Sequence, residues 1–137
     1  MIDRPRFRIA LTHDFYLDDG RCRYENIGLE IVQKYDHIDI TPLDNYKSPI
    51  GSDQLCDIQG VIVMAPAVTA QSLNASDNLL AVGRFGVGFD QVDIEACTAA
   101  DVVALNTSGA VDRSVAEATV TWMLALTHHV RSKDALV

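Results

Sequence analysis

LLAVGRFGVGFDQVD, residues 79–93, decides the fold class of this chain. The apolar run at 79–82 predicts a strand that is covered on both faces, and three glycines follow it within six residues. Asp93 is of a residue type that N-caps helices, and Glu95 suits a first helical turn. A strand, a glycine-rich turn and a helix in this order predict an α/β unit.

Four other short segments predict strands because they are apolar or alternate between apolar and polar residues. The helical spacing of apolar residues between Tyr24 and Tyr35 predicts an amphipathic helix, and DNYKSPIGS (44–52) predicts a polar connection. Strands that mostly alternate with such segments predict an α/β fold with a flavodoxin-like parallel sheet of order 2-1-3-4-5. The predicted strands are FRIAL (7–11), HIDITPL (37–43), GVIVM (60–64), LLAVG (79–83) and VVAL (102–105).

The last part of the sequence has a different pattern. S-V-A-E at 114–117 matches a capping box and predicts the start of a long helix that extends to about Arg131. Apolar residues lie on most of its circumference, so we expect it to be buried on two sides, one of them against a partner outside this domain. They are Val115, Ala118, Trp122 and Leu126 on one stripe, with Ala116, Val120, Met123 and Leu124 on other faces.

The glycines at 83–88 have the spacing G-x-x-G-x-G, whereas a dinucleotide fingerprint is G-x-G-x-x-G. In a sheet of this order, ligands bind beyond the carboxyl ends of the strands, where loops 12–14, 65–67 and 85–88 are expected to meet. Small residues leave backbone N–H groups accessible, and successive N–H groups form a nest that suits a small carboxylate. The alternative is that the glycines only permit a tight turn.

Composition limits the class of protein. A chain of 137 residues suffices for one domain with a core, and 48% hydrophobic and 22% charged residues are typical of a globular protein. The net charge of −8 argues against a nucleic-acid partner. No apolar run approaches the roughly 18 residues of a membrane span. With no signal peptide in the first residues either, a cytoplasmic protein without a membrane partner is expected.

Cysteines, histidines and acidic residues predict no metal site. Cys22, Cys56 and Cys97 form no CxxC pair and are expected to be free and mostly buried. The adjacent His128 and His129 point in different directions on the predicted helix, so an interaction with its C-terminus is the simpler role. His13, in the predicted cleft, is either a structural residue or a substrate contact. The acidic loop Asp14, Asp18 and Asp19 is expected to be solvated.

GRFGVGFDQVDIEACTAADVVALNTSGAVDRSVAEATVTWMLAL (83–126) closely resembles the NAD-dependent D-2-hydroxyacid dehydrogenases. Their pattern runs approximately GRxGVGxDNVDxxAA, then VxNTPGAN, then SVAExTxxLxLAL. The resemblance implies that 1–105 are the N-terminal part of the substrate-binding domain. It implies that 106–137 are the hinge and the first helix of a truncated NAD-binding domain, with a homodimer contact through helix 114–131.

The resemblance also implies the site residues. Backbone amides of Val87 and Gly88 would hold the carboxylate of a small 2-hydroxy or 2-oxo acid, and loop 65–67 would contribute. Val87 would also contact the cofactor, which is NAD or NADP in the complete enzyme. The substrate-binding residues implied are Ala65, Pro66, Ala67, Gly86, Val87 and Gly88.

The sequence also departs from the family pattern. The family's catalytic Arg, Glu and His and its G-x-G-x-x-G turn lie beyond Val137, so the chain is expected to bind substrate but not to catalyse a hydride transfer alone. Met64, Ala65 and Pro66 stand where the family often has Arg-Ser. Asp101 replaces a helix-closing Gly and tolerates the left-handed conformation. The alternative is a standalone flavodoxin-like binding or dimerising module.

Overall fold

The computed structural model describes residues 6–74 and 76–136. The chain forms two compact units, Met1–Thr107 and Ser108–Val137. The first unit contains a parallel sheet of five strands in the order β2-β1-β3-β4-β5, which confirms the predicted order. The strands are β1 (Phe7–Leu11), β2 (Ile38–Pro42), β3 (Gly60–Val63), β4 (Ala81–Arg84) and β5 (Val103–Asn106).

The central strand β3 holds the core together. Val61 pairs with Ala10 of β1 on one side and with Val82 of β4 on the other, and these side chains are 1%, 0% and 0% exposed. A continuous apolar run fits such a strand because both faces of a parallel sheet are covered. Burial of a valine side chain contributes about 1.5–3 kcal/mol to stability. The buried centre of the sheet therefore holds in place the strand ends from which the loops begin.

Helix α3 (Ile94–Ala99) begins and ends as the sequence predicts. The Asp93 side chain accepts a hydrogen bond from the Ala96 amide at 2.9 Å, which confirms the N-cap. After the helix, Asp101 adopts the expected left-handed conformation with a φ of 53°. The chain then turns into β5, held by a hydrogen bond from the Val102 amide to the Cys97 carbonyl at 2.9 Å.

The predicted helix between Tyr24 and Tyr35 is wrong except for the single turn α1 (Leu29–Val32). Gly28 is left-handed with a φ of 80°, and its amide donates to the Asn26 side-chain oxygen at 2.7 Å. This local turn replaces helical hydrogen bonding before Leu29, because Asn side chains compete for backbone N–H groups. A second one-turn helix is α2 (Ala70–Leu73), and short 3-10 turns lie at His13–Phe15 and Ser52–Gln54. The polar connection at 44–52 is confirmed as irregular up to Ser52.

The second unit contains α4 (Asp112–Thr127) and α5 (Val130–Asp134). The predicted capping box at Ser114 is wrong, because α4 begins earlier and its N-cap, Val111, has no side-chain hydrogen bond. Glu117 does not reach back to the backbone of Ser114. Its carboxylate instead pairs with the Arg113 guanidinium at 2.7 Å, one turn earlier on the same helix.

The prediction of one helix up to about Arg131 is also wrong, because the helix is interrupted at two histidines. His128 is the C-cap of α4, and His129 is left-handed with a φ of 52°. No residue of α4 is buried, and Trp122 and Leu126 are 70% and 75% exposed. Among residues 6–74 and 76–136, no helix has the length and apolar character needed to cross a membrane.

Candidate carboxylate-binding site

The loops after β1, β3 and β4 meet at the carboxyl edge of the sheet, as expected from the strand order. The Ala65 amide, after β3, donates to the Asp14 carboxylate, after β1, at 2.8 Å. The ring of Phe15 contacts the ring of Phe85, after β4, with a centroid distance of 5.2 Å. Adjacent parallel strands bring their carboxyl ends to one edge, where open α/β sheets bind ligands.

Loop 85–88 presents two backbone amides without partners. The amides of Val87 and Gly88 donate no hydrogen bond to any residue in the described ranges. Gly88 is exposed and Val87 is half-buried. An N–H group without a protein partner must bind water or a ligand. These groups are therefore free to bind a small anion.

The direction of these amides is set from the end of β5. The Thr107 amide donates to the Gly86 carbonyl at 3.1 Å, and the Asn106 side chain donates to the Val87 carbonyl at 2.8 Å. In a trans peptide the N–H points opposite to the C=O of the same peptide group. Because both carbonyls are bound from the β5 side, the N–H groups of Val87 and Gly88 are directed away from β5.

Gly86 has a different part in the loop. Its φ of 149° lies in a region that favours glycine, and its own amide donates to the Arg84 carbonyl at 2.9 Å. The Arg84 guanidinium donates to the Phe85 carbonyl next to it. Gly86 therefore shapes the turn but offers no free donor, whereas Val87 and Gly88 do.

Loop 65–67 lies at the same edge but its amides are occupied. The Ala65 amide is bound by Asp14, and the Ala67 amide donates to the Ser48 hydroxyl at 3.1 Å. Pro66 is buried and has no N–H. These residues can line a ligand but present no unoccupied N–H group to it.

An aromatic cluster connects the loop after β1 with the loop after β4. Tyr24 packs against Phe15 and Phe85 at centroid distances of 6.5 and 6.2 Å, and its hydroxyl donates to the Met64 sulfur at 3.3 Å. The apolar spacing at 24–35 predicts Tyr24 on a helix and therefore does not predict this position. The signal in the sequence is Asn26 together with Gly28. Both residue types favour turns, so the helix begins only after them and does not include Tyr24.

A cavity of about 250 Å³ lies between the ends of β4 and β5 and the start of α3, but neither free amide lines it. His13 lies elsewhere, in a separate cavity of about 470 Å³ that residues 42–45 also line. The lining of the first cavity is mostly apolar and consists of Arg84, Phe89, Val92, Ile94, Ala104, Leu105 and Asn106. The candidate site is therefore the open loop edge and neither of these cavities.

Two titratable groups of the sheet domain have a raised pKa. Burial raises the pKa of the Tyr16 hydroxyl, and the nearby Cys22 adds to this. Burial likewise raises the pKa of the Cys97 thiol, with a smaller contribution from Asp93. Cys22 and Cys56 are free but exposed, which corrects the expectation of mostly buried thiols. Within the ranges that the structure describes, no group of three or more His, Cys, Asp or Glu residues could hold a metal ion.

An open parallel sheet of order 2-1-3-4-5 with a glycine loop at its carboxyl edge defines a flavodoxin-like α/β domain. Residues 22–135 match the family model described as D-isomer specific 2-hydroxyacid dehydrogenase, catalytic domain. The chain belongs to the D-isomer specific 2-hydroxyacid dehydrogenase family.

Individual relatives agree with this membership. The chain is 40% identical over 120 residues to D-3-phosphoglycerate dehydrogenase of Rattus norvegicus, a match that spans 85% of this chain and 21% of the relative. The NAD⁺-bound 3-phosphoglycerate dehydrogenase structure from Entamoeba histolytica is 25% identical, with a TM-score of 0.69 over 88% of this chain and 39% of that one. The TT0316 structure from Thermus thermophilus, at 17% identity, shares the fold with a TM-score of 0.74 over 94% of this chain and 39% of that one. The chain thus spans about a fifth of the length of the curated relative.

Proposed function

We propose that this chain is the substrate-binding part of an oxidoreductase that transfers a hydride between a nicotinamide cofactor and a D-2-hydroxy or 2-oxo acid. The observation that carries the proposal is the pair of free amides at Val87 and Gly88, directed by the end of β5. Family membership supplies the reaction class. In this proposal 1–105 belong to the substrate-binding domain and 106–137 to the hinge and the first helix of the cofactor domain.

The amides bind the carboxylate of the substrate. Each carboxylate oxygen accepts a hydrogen bond from one N–H group, and a hydrogen bond to a charged group contributes about 1.5–3 kcal/mol. Ala65, Pro66 and Ala67 line the opposite side with small side chains, and Gly86 keeps the turn open. The loop therefore orients the acid by its carboxylate end and leaves its second carbon accessible for chemistry.

Residues 6–74 and 76–136 do not by themselves fit a whole dinucleotide. The longest helix, α4, begins with Asp112 in its first turn, and an acidic side chain there repels a pyrophosphate. We propose that this chain contributes only a contact between Val87 and the NAD or NADP of the complete enzyme. The general acid and base come from elsewhere, so the 137-residue chain alone is inactive.

The exposed apolar helix α4 supports a homodimer. Trp122, Met123 and Leu126 are 70%, 60% and 75% exposed, and Val120 is 56% exposed. Such a surface on a water-facing helix marks an interaction site. A second copy of the chain is the partner that the family resemblance favours.

A titration of the ¹⁵N-labelled chain with pyruvate, followed by amide NMR, tests the carboxylate site. We expect saturable shifts of the Val87 and Gly88 amide resonances. Gly88→Pro, which lacks the N–H, should weaken binding at least about tenfold, since a charge-assisted hydrogen bond is lost. Gly88→Ala keeps the N–H and should bind within about threefold of the parent, because an added Cβ would meet only an Asp90 oxygen at 3.8 Å. Shifts confined to other residues, or equal binding by the proline and alanine variants, would contradict the proposal.

A further inference from the structure

The aromatic cluster of Phe15, Tyr24 and Phe85 is only partly covered by the protein. Phe15 is 0% exposed, whereas Tyr24 and Phe85 are 39% and 36% exposed. The Phe15 and Phe85 rings meet edge to face with an interplanar angle of 70°, and Tyr24 packs against both. A buried ring therefore supports two rings that remain accessible to a ligand.

Phe85 is joined by the chain to the two free amides of the loop. It lies two residues before Val87, and consecutive Cα atoms are 3.8 Å apart, so these two Cα atoms are separated by at most about 7 Å. The Phe85 amide donates to the Val63 carbonyl at 2.8 Å, which holds the start of the loop against the end of β3. The separation is short enough to be bridged by a three-carbon acid that carries a ring on its third carbon.

The aromatic cluster and the free amides lie on the same side of the loop. Strand β4, which leads into the loop, has β5 on one side and β3 and then β1 on the other. The N–H groups of Val87 and Gly88 are directed away from β5, because their peptide carbonyls are bound from the β5 side. Phe85 contacts Phe15, which follows β1, so its ring also lies on the side away from β5. An acid held at the two amides by its carboxylate therefore meets these rings with its other end.

The accessible surface of the cluster consists of rings and not of free polar groups. The Tyr24 hydroxyl donates to the Met64 sulfur at 3.3 Å, so this O–H group is already used within the protein. In loop 65–67, the Ala65 and Ala67 amides are occupied as well. A polar group buried there without a hydrogen-bond partner would cost free energy, whereas an apolar group would not. The surface therefore fits the apolar end of a ligand.

Arg84 places a positive charge in the same loop. Its guanidinium donates to the Phe85 carbonyl, and its atoms are those that a Cβ on Gly86 would meet. This charge attracts any anion at the loop, whatever the rest of the ligand contains. Acids with one carboxylate each share that attraction, so a difference in their binding reports on their uncharged ends.

We propose that the accessible rings of Tyr24 and Phe85 select 2-hydroxy and 2-oxo acids that carry an aromatic side chain. The side chain packs against these rings while the carboxylate binds at Val87 and Gly88, so the inference rests on the proposed function. Aromatic rings in offset or edge-to-face contact attract each other beyond the effect of the area that they bury. Tyr24 and Phe85 are thus specificity-determining residues of the site.

NMR titrations of the 137-residue chain with D-lactate and D-3-phenyllactate test the inference, because these acids differ only by a phenyl group. Both acids should shift the Val87 and Gly88 amide resonances, and D-3-phenyllactate should bind at least about tenfold more tightly. Its phenyl protons should show nuclear Overhauser contacts with the ring protons of Tyr24 and Phe85. These contacts are measured in the parent chain and do not depend on the folding of any variant.

Tyr24→Ala removes one of the two accessible rings and should reduce the preference for D-3-phenyllactate at least about threefold, with little change for D-lactate. Tyr24→Phe keeps the ring and loses only the hydroxyl, so it should retain the preference within about twofold. Tyr35→Ala is the matched control, because Tyr35 is a tyrosine of 53% exposure that precedes β2 at the amino edge of the sheet and packs against His37. It should leave the preference within about twofold of the parent.

The outcomes separate the inference from the proposed function. Equal binding of the two acids, with both shifting the Val87 and Gly88 amides, would overturn the inference alone. So would an equal loss for both acids in Tyr24→Ala, or phenyl contacts confined to residues outside the cluster. If neither acid shifts these amides, the inference and the proposed function both fail.

Discussion

Two adjacent peptide groups, those joining Gly86 to Val87 and Val87 to Gly88, decide what the glycine loop presents to solvent. Their carbonyls are held by Thr107 and Asn106, at the end of the next strand. The sequence predicts a nest of amides from the glycine spacing, but it does not predict which amides are free. That depends on which groups lie across the sheet edge.

The hydrogen-bond partners of the amides in loop 65–67 could not be predicted from the sequence either. Ala65 is bound by Asp14 and Ala67 by Ser48, which are 51 and 19 residues away along the chain. No local pattern reveals a side chain that reaches a backbone group over such a separation. The small residues at 65–67 predicted accessible amides, and long-range hydrogen bonds fill them instead.

Gly86→Ala tests the turn itself. The φ of 149° is costly for any residue with a Cβ, and that Cβ would collide with the Arg84 guanidinium. We expect the free energy of unfolding, measured with urea, to fall by about 1–3 kcal/mol. Gly88→Ala is the control and should change it by less than about 0.5 kcal/mol. Equal losses in both variants would show that the turn does not require glycine at 86.

The buried Cys97 thiol predicts a pH dependence of stability. Its pKa is raised above the ordinary 9.0, mainly by burial, so the unfolded chain loses this proton at a lower pH than the folded chain. The contribution of Cys97 to stability should therefore be constant below 9.0 and should decrease above it. Urea unfolding of the parent and of Cys97→Ser from about pH 7 to pH 10 measures this difference. Parallel pH profiles for the two chains would contradict it.

Individual helices and strands are predicted correctly where the decisive interactions are local. The five strands and their order follow from short apolar runs, and α3 follows from Asp93. The helix expected at 24–35 fails because Gly28 and Asn26 form a turn whose cost to the helix exceeds the benefit of apolar spacing. Regular periodicity predicts a helix only where no residue within it prefers another conformation.

The two candidate N-caps can be compared directly. Asp93→Ala removes a side chain that accepts from the Ala96 amide, and we expect it to lower the free energy of unfolding by about 1 kcal/mol. Ser114→Ala, inside α4, should change it by less than about 0.5 kcal/mol, because Ser114 caps nothing and alanine favours helix. Urea unfolding followed by circular dichroism measures both. A clear loss with Ser114→Ala would restore the capping box as the start of the helix.

The two units of the chain differ in what they bury. The first has a core built around Val61, Val63 and Val82, whereas α4 in the second has no buried residue. Apolar residues on most of the helix circumference predict a covered surface, but a sequence does not say whether the covering residues belong to the same chain. The chain also spans only about a fifth of its curated relative.

Substitutions on α4 test the proposed homodimer. Trp122→Glu and Leu126→Glu place a charge in the exposed apolar surface and should weaken self-association at least about tenfold in sedimentation equilibrium. Thr121→Glu, on the polar side of the same helix, is the control and should leave association unchanged. A parent chain that stays monomeric at all concentrations, or equal effects of the three substitutions, would contradict the interface.

The most direct measurement is a crystal structure of the 137-residue chain with oxamate, an unreactive isostere of pyruvate. Both carboxylate oxygens should lie about 2.7–3.2 Å from the amide nitrogens of Val87 and Gly88, with Asp14 still bound to Ala65. Oxamate bound elsewhere, or a loop 85–88 whose amides are occupied by the protein itself in the presence of saturating oxamate, would show that these amides do not hold the acid.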